Sequence, residues 1–481
     1  MRKINLSILF LCVVSTILAQ QKPAIFSVKS PNGKVVLNIA IGKKISWSAS
    51  HQTDIVIAPS TISMQLQSGE ILGNDAVVLS SKTTLINQTF KAINYKKDSV
   101  KNYCIELLVT FKNNYSLAFR AYDDGVAYHF STTKQDSFIV VNEEANFNFD
   151  KDYKTLIPYV RDLRDHDKFS LAFEALYDDI NISQFAKDTL AFLPALVKLN
   201  NNKKAVLLET DLEDYPGMFI NQNTQSQHGF QGVFATYPLE EKLGGFNKLN
   251  LMPTKRANYI AKVAGTKSFP WRAIVVSEND KDLANNDMVQ RLSAPSRINN
   301  TAWIKPGKVA WDWWNDWNIS HVDFKAGINT KTYKYYIDFA AANKLEYVVI
   351  DEGWSELDII KVKPALALQE LIDYGKQKNV GIILWASWYA IYSKLDEALR
   401  KYSAMGIKGF KIDFMDRDDQ KMVASLYEIA DKAAKYHLLL DYHGMYKPTG
   451  IQKTYPNILN LEVVKGMENN KWIAMEKTNK I

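Results

Sequence analysis

Short runs of apolar residues with polar residues at alternate positions recur between residues 22 and 290. Such runs cover 24–28, 35–41, 55–57, 62–66, 103–111, 115–121, 126–130 and 138–141. Turn-forming stretches separate them, including Pro-Asn-Gly at 31–33 and Asp-Asp-Gly at 123–125. A period of two predicts β-strands with one buried face, and many short strands at this spacing predict a large β-sandwich.

The pattern changes near residue 291. A polar stretch at 291–300 predicts a linker, after which apolar runs alternate with segments of helical period. The predicted strands are 308–314, 347–351, 381–388, 409–415, 438–444 and 458–465, and the predicted helices are 332–343, 364–378, 395–405 and 420–436. Strands that alternate with helices in this way predict a parallel sheet.

Polar and aromatic residues stand at the strand ends, namely Asp351, Trp385, Asp413, His443 and Glu468. This placement is typical of a (β/α)8 TIM-type barrel, whose active site is built by the loops after the strands. An open doubly wound sheet is the alternative, but it normally carries a glycine-rich phosphate loop, which this sequence lacks. About six of a barrel's eight strands are predicted within residues 300–481. We therefore expect an incomplete barrel and a chain truncated at its C-terminus.

The first residues predict export from the cell. Arg2 and Lys3 precede an apolar run at 6–18 and Ala19, which is the pattern of a secretory signal peptide at 1–19. The run is too short for a transmembrane anchor, and we expect no membrane insertion. Removal of the signal leaves Cys104 without a second cysteine, and an exported protein without disulfides is favoured in a bacterial periplasm.

Composition narrows the function classes. Hydrophobic residues make up 47% of the chain and aromatic residues 12%, which excludes a disordered protein. The formal net charge is +7, and its lysines are scattered, so a solvated surface is favoured over nucleic-acid binding. We expect a monomer.

Two carboxylates are candidates for glycoside hydrolysis, which needs an acid for the leaving oxygen and a nucleophile or base opposite it. Asp413 and Glu468 follow strands whose ends meet at the mouth of a barrel. Lys411 shares a strand face with Asp413, and its ammonium is predicted to keep Asp413 ionised. For each of these residues the alternative is a structural role in the core or at the end of a strand.

Trp313, Trp354 and Trp385 are predicted to be aromatic surfaces on which a sugar ring stacks, and for them too a role in the core is the alternative.

A second acidic group lies in the β-rich part, where Glu209, Asp211, Glu213 and Asp214 follow an apolar strand. A solvated acidic turn is the favoured explanation of this group. The alternative is that one of the carboxylates is a ligand for a hard cation such as Ca²⁺, which takes six to eight oxygens.

Several motifs together resemble glycoside hydrolase family 97. They are His-Gly-Met-Tyr-Lys-Pro-Thr-Gly at 443–450, Thr-Tyr-Pro-Asn at 454–457, the pair Glu462 and Glu468, and the segments 212–218, 306–314, 350–354 and 409–413. The resemblance implies an N-terminal β-super-sandwich at 22–290, a catalytic (β/α)8 barrel, a catalytic Ca²⁺ and a periplasmic role in glycan use. It also implies a small C-terminal β-domain, which is absent from this sequence.

The resemblance also implies roles for single residues. Glu468 matches the general acid, and Glu209 and Glu462 match calcium ligands, with Glu468 as a third ligand. The family's inverting branch carries a glutamate base directly after the histidine, where this chain has Gly444. The retaining branch instead carries an aspartate nucleophile, which Asp413 matches.

The function implied is a calcium-dependent, retaining, exo-acting α-galactosidase that works by double displacement. Its substrate is an oligosaccharide with a terminal α-galactose, contacted by Asp351, Trp385, Lys411 and His443. The alternatives are an inverting α-glucosidase of the same family and an inactive, truncated glycan-binding remnant.

Overall fold

The computed structural model of the chain describes residues 23–161 and 163–471. The predicted signal peptide at 1–19 lies outside the described residues. Within the described ranges, no helix is both long and apolar enough to cross a membrane.

The N-terminal part is rich in strands, and the predicted sheet-rich character is confirmed. In chain order the strands are β1 (Ala24–Lys29), β2 (Val35–Ile41), β3 (Ile45–His51), β4 (Asp54–Leu66), β5 (Ile71–Leu72), β6 (Val78–Lys91), β7 (Ser99–Phe111), β8 (Tyr115–Tyr122), β9 (Gly125–Thr133), β10 (Phe138–Asn148), β11 (Lys154–Ile157), β12 (Leu163–Arg164), β13 (Asp167–Leu171), β14 (Asp178–Asn181), β15 (Ala195–Lys198), β16 (Lys204–Thr210), β17 (Met218–Gln222), β18 (Gly229–Phe234), β19 (Pro238–Gly244), β20 (Asn250–Arg256), β21 (Ala261–Val263), β22 (Thr266–Ser268) and β23 (Trp271–Ser277). Two short helices follow, α1 (Asp280–Ala284) and α2 (Met288–Leu292).

Two large antiparallel sheets form this part. One has the order β1-β2-β3-β4-β10-β18-β17, and the other has the order β14-β11-β15-β16-β23-β9-β8-β7-β6. Their inner faces share one core, in which Trp47 of β3 meets Tyr128 of β9 with ring centroids 5.2 Å apart. Alternation of buried and exposed residues along β2 and β3 supplies one apolar face per strand, as the period of two predicts.

The C-terminal part alternates strands and helices. Its elements are β24 (Val309–Trp311), α3 (Thr330–Ala342), β25 (Tyr347–Ile350), α4 (Leu368–Gln377), β26 (Gly381–Ser387), α5 (Trp388–Tyr392), α6 (Leu395–Met405), β27 (Gly409–Asp413), α7 (Gln420–Lys435), β28 (Leu439–Tyr442), α8 (Ile451–Thr454) and β29 (Ile458–Leu461). The strands pair in chain order into one parallel sheet, so the predicted parallel sheet is confirmed.

Local sequence explains where these elements begin and end. The Asp419 side chain accepts a hydrogen bond from Met422 N and caps the start of α7. Helix α6 ends at Gly406, whose φ of +103° is accessible to glycine at little cost. The strands are buried on both faces, which is why they appear in the sequence as nearly continuous apolar runs.

Backbone hydrogen bonds join the two parts of the chain. Leu171 N donates to Asp416 O at 2.8 Å, and Asp211 N donates to Thr449 O at 2.8 Å. The first bond fixes the start of the loop 172–177 against the segment that follows β27. Loops of the N-terminal part thereby reach the carboxyl ends of the parallel strands.

Candidate active site

A cavity of about 580 Å³ lies at the carboxyl ends of the parallel strands, beneath the N-terminal loops. The cavity is lined by side chains on or directly after the strands β24, β25, β26, β27 and β28, and by side chains from the segment after β29. Among them are the sequence-predicted residues Asp351, Trp385, Lys411, Asp413, His443, Glu462 and Glu468. The structure therefore brings these residues together, as expected for chains whose parallel strands end at one edge.

Asp413 is the last residue of β27 and is held by two donors. Its Oδ1 accepts a hydrogen bond from Phe414 N at 2.8 Å, and its Oδ2 accepts one from Trp385 Nε1 at 3.3 Å. Phe414 has a φ of +62°, which is a rare backbone conformation for a phenylalanine. Strain of this kind directly after a carboxylate is common at functional sites, where it helps to aim the side chain.

Lys411 divides its charge between two carboxylates. Its Nζ donates to Asp351 Oδ2 at 2.8 Å and lies 3.9 Å from Asp413 Oδ2. Trp385 lies opposite Lys411 in the register of β26 and β27, so both side chains share one face of the sheet. The Trp311 indole donates to Asp351 at 2.5 Å and lies beneath the Lys411 ammonium, 4.3 Å from ring centroid to Nζ.

Lys411 lowers the pKa of Asp413, as predicted, but burial of the carboxylate has the larger effect. Burial raises the pKa of Asp413 above its ordinary value, and Lys411 and His443 oppose that rise. Glu462 and Asp351 add repulsion and raise the pKa further. The net direction is opposite to the prediction, because burial outweighs the charge of Lys411, whose short contact is with Asp351.

Gly444 leaves space beside the Asp413 carboxylate. A Cβ built on Gly444 would lie 3.0 Å from Asp413 Oδ1 and 3.2 Å from Phe414 N, and the φ of Gly444 is +55°. Both the contact and the backbone conformation disfavour a side chain here. Asp413 therefore faces this side of the cavity without a neighbouring carboxylate at position 444.

Three glutamates form an acidic cluster at the cavity. Carboxylate oxygens of Glu174, Glu462 and Glu468 lie within 4.8 Å of one another. Burial raises the pKa of Glu174 to about 8, with further repulsion from Glu462 and Glu468. Burial also raises the pKa of Glu468, with repulsion from Glu462 and Asp413. Clustered carboxyl oxygens that repel one another in this way are a donor set that suits a hard cation.

Sequence reasoning missed Glu174. It lies in the loop between β13 and β14, directly after Phe173, which has a φ of +54° and is buried against Phe192 and Phe219. The buried aromatic ring anchors the loop and turns the next side chain toward the cavity. No motif in the sequence marks this glutamate, since it stands alone in the apolar stretch 169–177.

His443 links the sheet to the acidic cluster. Its Nδ1 lies 2.9 Å from Glu462 Oε2, and its Nε2 lies 3.1 Å from Asp441 Oδ1. Burial lowers the pKa of the imidazole, but the two carboxylates outweigh burial and raise that pKa to about 10. His443 is thus held as a cation that orients Glu462.

Glu209 lies away from this cluster, which corrects the prediction that it joins Glu462 at a metal. Its side chain is completely buried, where it pairs with Arg272 and, at 2.8 Å, with Lys447 Nζ. Its Oε1 also accepts a hydrogen bond from Met218 N at 2.8 Å. These cationic partners satisfy the carboxylate, so Glu209 joins the two parts of the chain, whereas Glu174 lies in the acidic cluster with Glu462 and Glu468. The solvated-turn alternative is equally wrong for Glu209.

We expect Glu209→Gln to destabilise the protein strongly. The substitution removes one of two carboxylate partners from each buried cation, because Arg272 keeps Glu143 and Lys447 keeps Asp418, and breaking a buried pair from one side typically costs up to about 3–5 kcal/mol. Urea or thermal unfolding measures the loss. Glu213→Gln is the matched control, because its pair with Arg297 is partly exposed and contributes about 1 kcal/mol or less. Equal unfolding midpoints for the two variants would contradict this role of Glu209.

The predicted aromatic platforms differ in their surroundings. Trp354 is buried in the core, where its indole donates to Trp385 O at 2.7 Å and its ring meets Tyr402 edge-on, so the prediction of a platform is wrong. Trp313 and Trp385 both line the cavity. Trp311, which the sequence did not single out as a platform, lines it as well.

Comparison with known proteins identifies the family. The family profile "Glycosyl-hydrolase 97 N-terminal" matches residues 28–295, and the profile "Glycoside hydrolase 97" matches residues 313–464. The chain belongs to glycoside hydrolase family 97. The resemblance predicted from the motifs is confirmed.

Two curated relatives bear on the branch within family 97. A "Retaining alpha-galactosidase" from Bacteroides thetaiotaomicron is 41% identical over 474 residues, which cover 97% of this chain and 71% of that protein. A "Probable retaining alpha-galactosidase" from Streptomyces bingchenggensis is 33% identical over 216 residues, which cover 42% of this chain and 32% of that protein.

Solved structures show the same fold. A family 97 enzyme from Pseudoalteromonas sp. strain K8, in complex with acarbose, matches with a TM-score of 0.79 at 22% identity, covering 93% of this chain and 70% of that chain. A beta-arabinopyranosidase matches with a TM-score of 0.77 at 22% identity, covering 92% of this chain and 71% of that chain.

Proposed function

We propose that this family 97 chain is a retaining α-galactosidase that removes terminal α-galactosyl residues from oligosaccharides. The observation that carries the proposal is Asp413 at the end of β27, facing Gly444 where an inverting enzyme needs a base. The 41% identity to a protein named a retaining α-galactosidase supports it over 97% of the chain. The inverting α-glucosidase remains the rival outcome.

The first step forms a covalent intermediate. The Asp413 carboxylate attacks the anomeric carbon C1, the bond from C1 to the leaving oxygen breaks, and Glu468 donates its proton to that oxygen. Burial raises the pKa of Glu468, which is the direction of shift that a general acid requires. The product is a β-galactosyl ester of Asp413.

The second step releases galactose. Glu468, now ionised, takes a proton from water, the water oxygen attacks C1, and the ester bond to Asp413 breaks. Two inversions at C1 give net retention of the α-configuration. The Asp413 carboxylate and the protonated Glu468 are restored.

The surrounding residues bind and orient the galactosyl unit. Asp351 and Lys411 form a hydrogen-bonded pair beside the nucleophile, which suits recognition of sugar hydroxyls by one acceptor and one donor. Trp385 supplies an indole donor to Asp413 and an aromatic surface in the cavity. His443 fixes the carboxylate of Glu462 through its Nδ1.

We propose that the acidic cluster holds Ca²⁺ through Glu174, Glu462 and Glu468. The three residues offer carboxylate oxygens, which are the ligands that Ca²⁺ prefers. Burial and mutual repulsion disfavour their negative charges, and a bound cation would offset both effects. When bound, Ca²⁺ would supply positive charge that offsets the repulsion among these carboxyl groups and would polarise a substrate oxygen. Glu209 is excluded from this set by its own cationic partners.

We expect Ca²⁺ to raise the unfolding temperature of the protein, and Glu174→Gln to weaken that response. A ligand at a hundred times its Kd stabilises a folded protein by about 2.7 kcal/mol. Thermal unfolding with Ca²⁺ and with a chelator measures the response. Glu346→Gln is the control, since Glu346 is exposed and accepts from Lys308 N in the same part of the chain. A calcium response that is unchanged in Glu174→Gln would contradict the proposed ligand set.

The substrate class is tested with paired aryl glycosides. We expect an aryl α-galactoside to be hydrolysed with a kcat/KM at least about a hundredfold above that for the matching aryl α-glucoside, since a built hydroxyl site strongly rejects an epimer. A preference for the α-glucoside would support the inverting rival. Hydrolysis of neither would support a non-catalytic glycan-binding protein.

We also propose that the parallel sheet belongs to a (β/α)8 barrel and that the protein acts in the periplasm. The chain-order pairing of β24 to β29 supports the first proposal. The pattern of residues 1–19 supports the second, and fractionation of the native host is its test.

A further inference from the structure

Asp416 is a buried carboxylate without hydrogen-bond donors. It lies in the segment after β27, has a φ of +54° and is 1% exposed. Neither carboxylate oxygen accepts a hydrogen bond from any residue that the structure describes. Its side chain nevertheless lines the same cavity as Asp413.

The groups around Asp416 do not satisfy it. The nearest positive charge is on Arg164, whose Nε lies 3.8 Å from Asp416 Oδ1 and is itself without a hydrogen-bond acceptor among the described residues. The Asn250 amide donates to Met415 O, and its second N–H lies close enough to lower the pKa of Asp416 weakly, without a well-formed hydrogen bond to either carboxylate oxygen. Burial raises the pKa of Asp416 to about 7, and Arg164 only partly opposes that rise.

Such an arrangement is unfavourable in the free protein. A buried carboxylate without donors loses its hydration and gains little in return. It is expected where a ligand brings the missing donors. Sugar hydroxyls are donors of this kind, and a carboxylate can accept two of them at once.

The backbone of Asp416 lies beside Gly444, which adjoins the Oδ1 side of the nucleophile. Trp385 and Lys411 approach Asp413 from its Oδ2 side. Phe414 and Gly444 lie on its Oδ1 side, and Asp416 N donates to Gly444 O at 3.0 Å. Asp416 is therefore joined to the Oδ1 side of the nucleophile through Gly444, whereas Lys411 lies near its Oδ2.

The same side carries an aromatic surface. Phe246, in the loop between β19 and β20, is 51% exposed and stacks on Phe414 with ring centroids 5.5 Å apart. Exposed aromatic rings that line a cavity can cover the apolar face of a sugar. The N-terminal loop that carries Glu174, the neighbour of the proposed acid Glu468, reaches this region too.

We propose that Asp416 and Phe246 form the subsite for the leaving-group sugar and select sugar aglycones over simple alcohols. The inference rests on the proposed function, because the leaving group is defined by the bond that Asp413 and Glu468 cleave. Asp416 accepts hydroxyl hydrogen bonds from the second sugar, with Arg164 beside it, and Phe246 covers that sugar's apolar face. Asp416 is a specificity-determining residue here.

The test compares two galactosides whose leaving groups are both alcohols. Methyl α-galactoside lacks a second sugar, whereas melibiose, α-galactosyl-1,6-glucose, carries one. Hydrogen bonds to a charged group predict a 10- to 100-fold loss of kcat/KM on melibiose for Asp416→Asn, with methyl α-galactoside changed by about threefold or less. Phe246→Ala should show the same selectivity. Asp373→Asn, an exposed helix position, is the control and should change neither rate.

The unfolding temperature separates this role from a structural one. Replacing a donor-free buried carboxylate with the isosteric amide should leave the unfolding temperature unchanged or raised. Equal losses on both galactosides, no loss on either, or a lowered unfolding temperature with equal losses would overturn the proposal.

A binding measurement separates failure of this inference from failure of the proposed function. Calorimetric titration of melibiose and of methyl α-galactoside into Asp413→Asn and into Asp413→Asn with Asp416→Asn needs no turnover. If the unchanged protein hydrolyses neither galactoside, the proposed function fails. Weaker binding of melibiose alone by the double variant would still support the subsite, and equal binding by the two variants would overturn it.

Discussion

Asp413→Asn is expected to reduce kcat for an aryl α-galactoside by about 10⁴-fold or more, because an amide cannot attack C1 to form the ester. The substitution keeps the shape of the side chain, although the single amide oxygen can accept from only one of the two donors, Phe414 N or Trp385 Nε1. Substrate binding should therefore remain close to that of the unchanged protein. Steady-state kinetics and calorimetric binding of the same aryl α-galactoside measure the two effects separately.

The unfolding temperature of Asp413→Asn shows whether a loss of activity comes from a loss of folded structure. Burial and neighbouring carboxylates raise the pKa of Asp413, so its ionisation is less favourable in the folded protein than in the unfolded chain. Loss of that charge should leave the unfolding temperature unchanged or slightly higher. Wild-type turnover in this variant would exclude Asp413 as the nucleophile, and the account of the reaction would be wrong.

Glu468→Gln is expected to lower kcat/KM on melibiose by about 10²- to 10⁴-fold, the usual contribution of general acid catalysis. The leaving sugar departs as an alkoxide unless it receives a proton. An activated aryl leaving group needs little protonation, so kcat/KM on a dinitrophenyl α-galactoside should fall much less. The comparison of these two substrates isolates proton donation from other effects of the substitution.

Glu462→Gln is the matched control for Glu468. Both side chains belong to the acidic cluster, but only Glu468 is proposed to donate a proton. Glu462→Gln should affect both leaving groups to a similar extent and should weaken the response to Ca²⁺. An equal loss on both leaving groups for Glu468→Gln would contradict its role as the acid.

Much of the fold followed from the sequence. Nearly continuous apolar runs predicted the parallel strands, because strands buried on both faces show no alternation. The period of two along β27 correctly placed Lys411 and Asp413 on one face. Boundaries shifted by a few residues, as for the predicted strand 409–415, which the structure ends at Asp413. The left-handed conformation of Phe414 explains that early end.

The site was predictable only where its residues sit on regular strands or in recognisable motifs. Glu174 reaches the acidic cluster through a loop whose path is set by Phe173, and neither periodicity nor spacing encodes that path. Glu209 was misassigned because its partners Arg272 and Lys447 are distant in the sequence. The direction in which the pKa of Asp413 is shifted depends on the burial of its carboxylate and on which carboxylate the Lys411 ammonium contacts. Neither can be derived from the sequence.

Retention of configuration is the central claim, and proton NMR of the hydrolysis of an aryl α-galactoside tests it most directly. Spectra recorded before mutarotation distinguish the two anomers of the first-formed galactose. Double displacement through Asp413 predicts that α-galactose appears first and that the β-anomer grows only as mutarotation proceeds. Release of β-galactose as the first product would contradict the account, since it requires a single displacement by water.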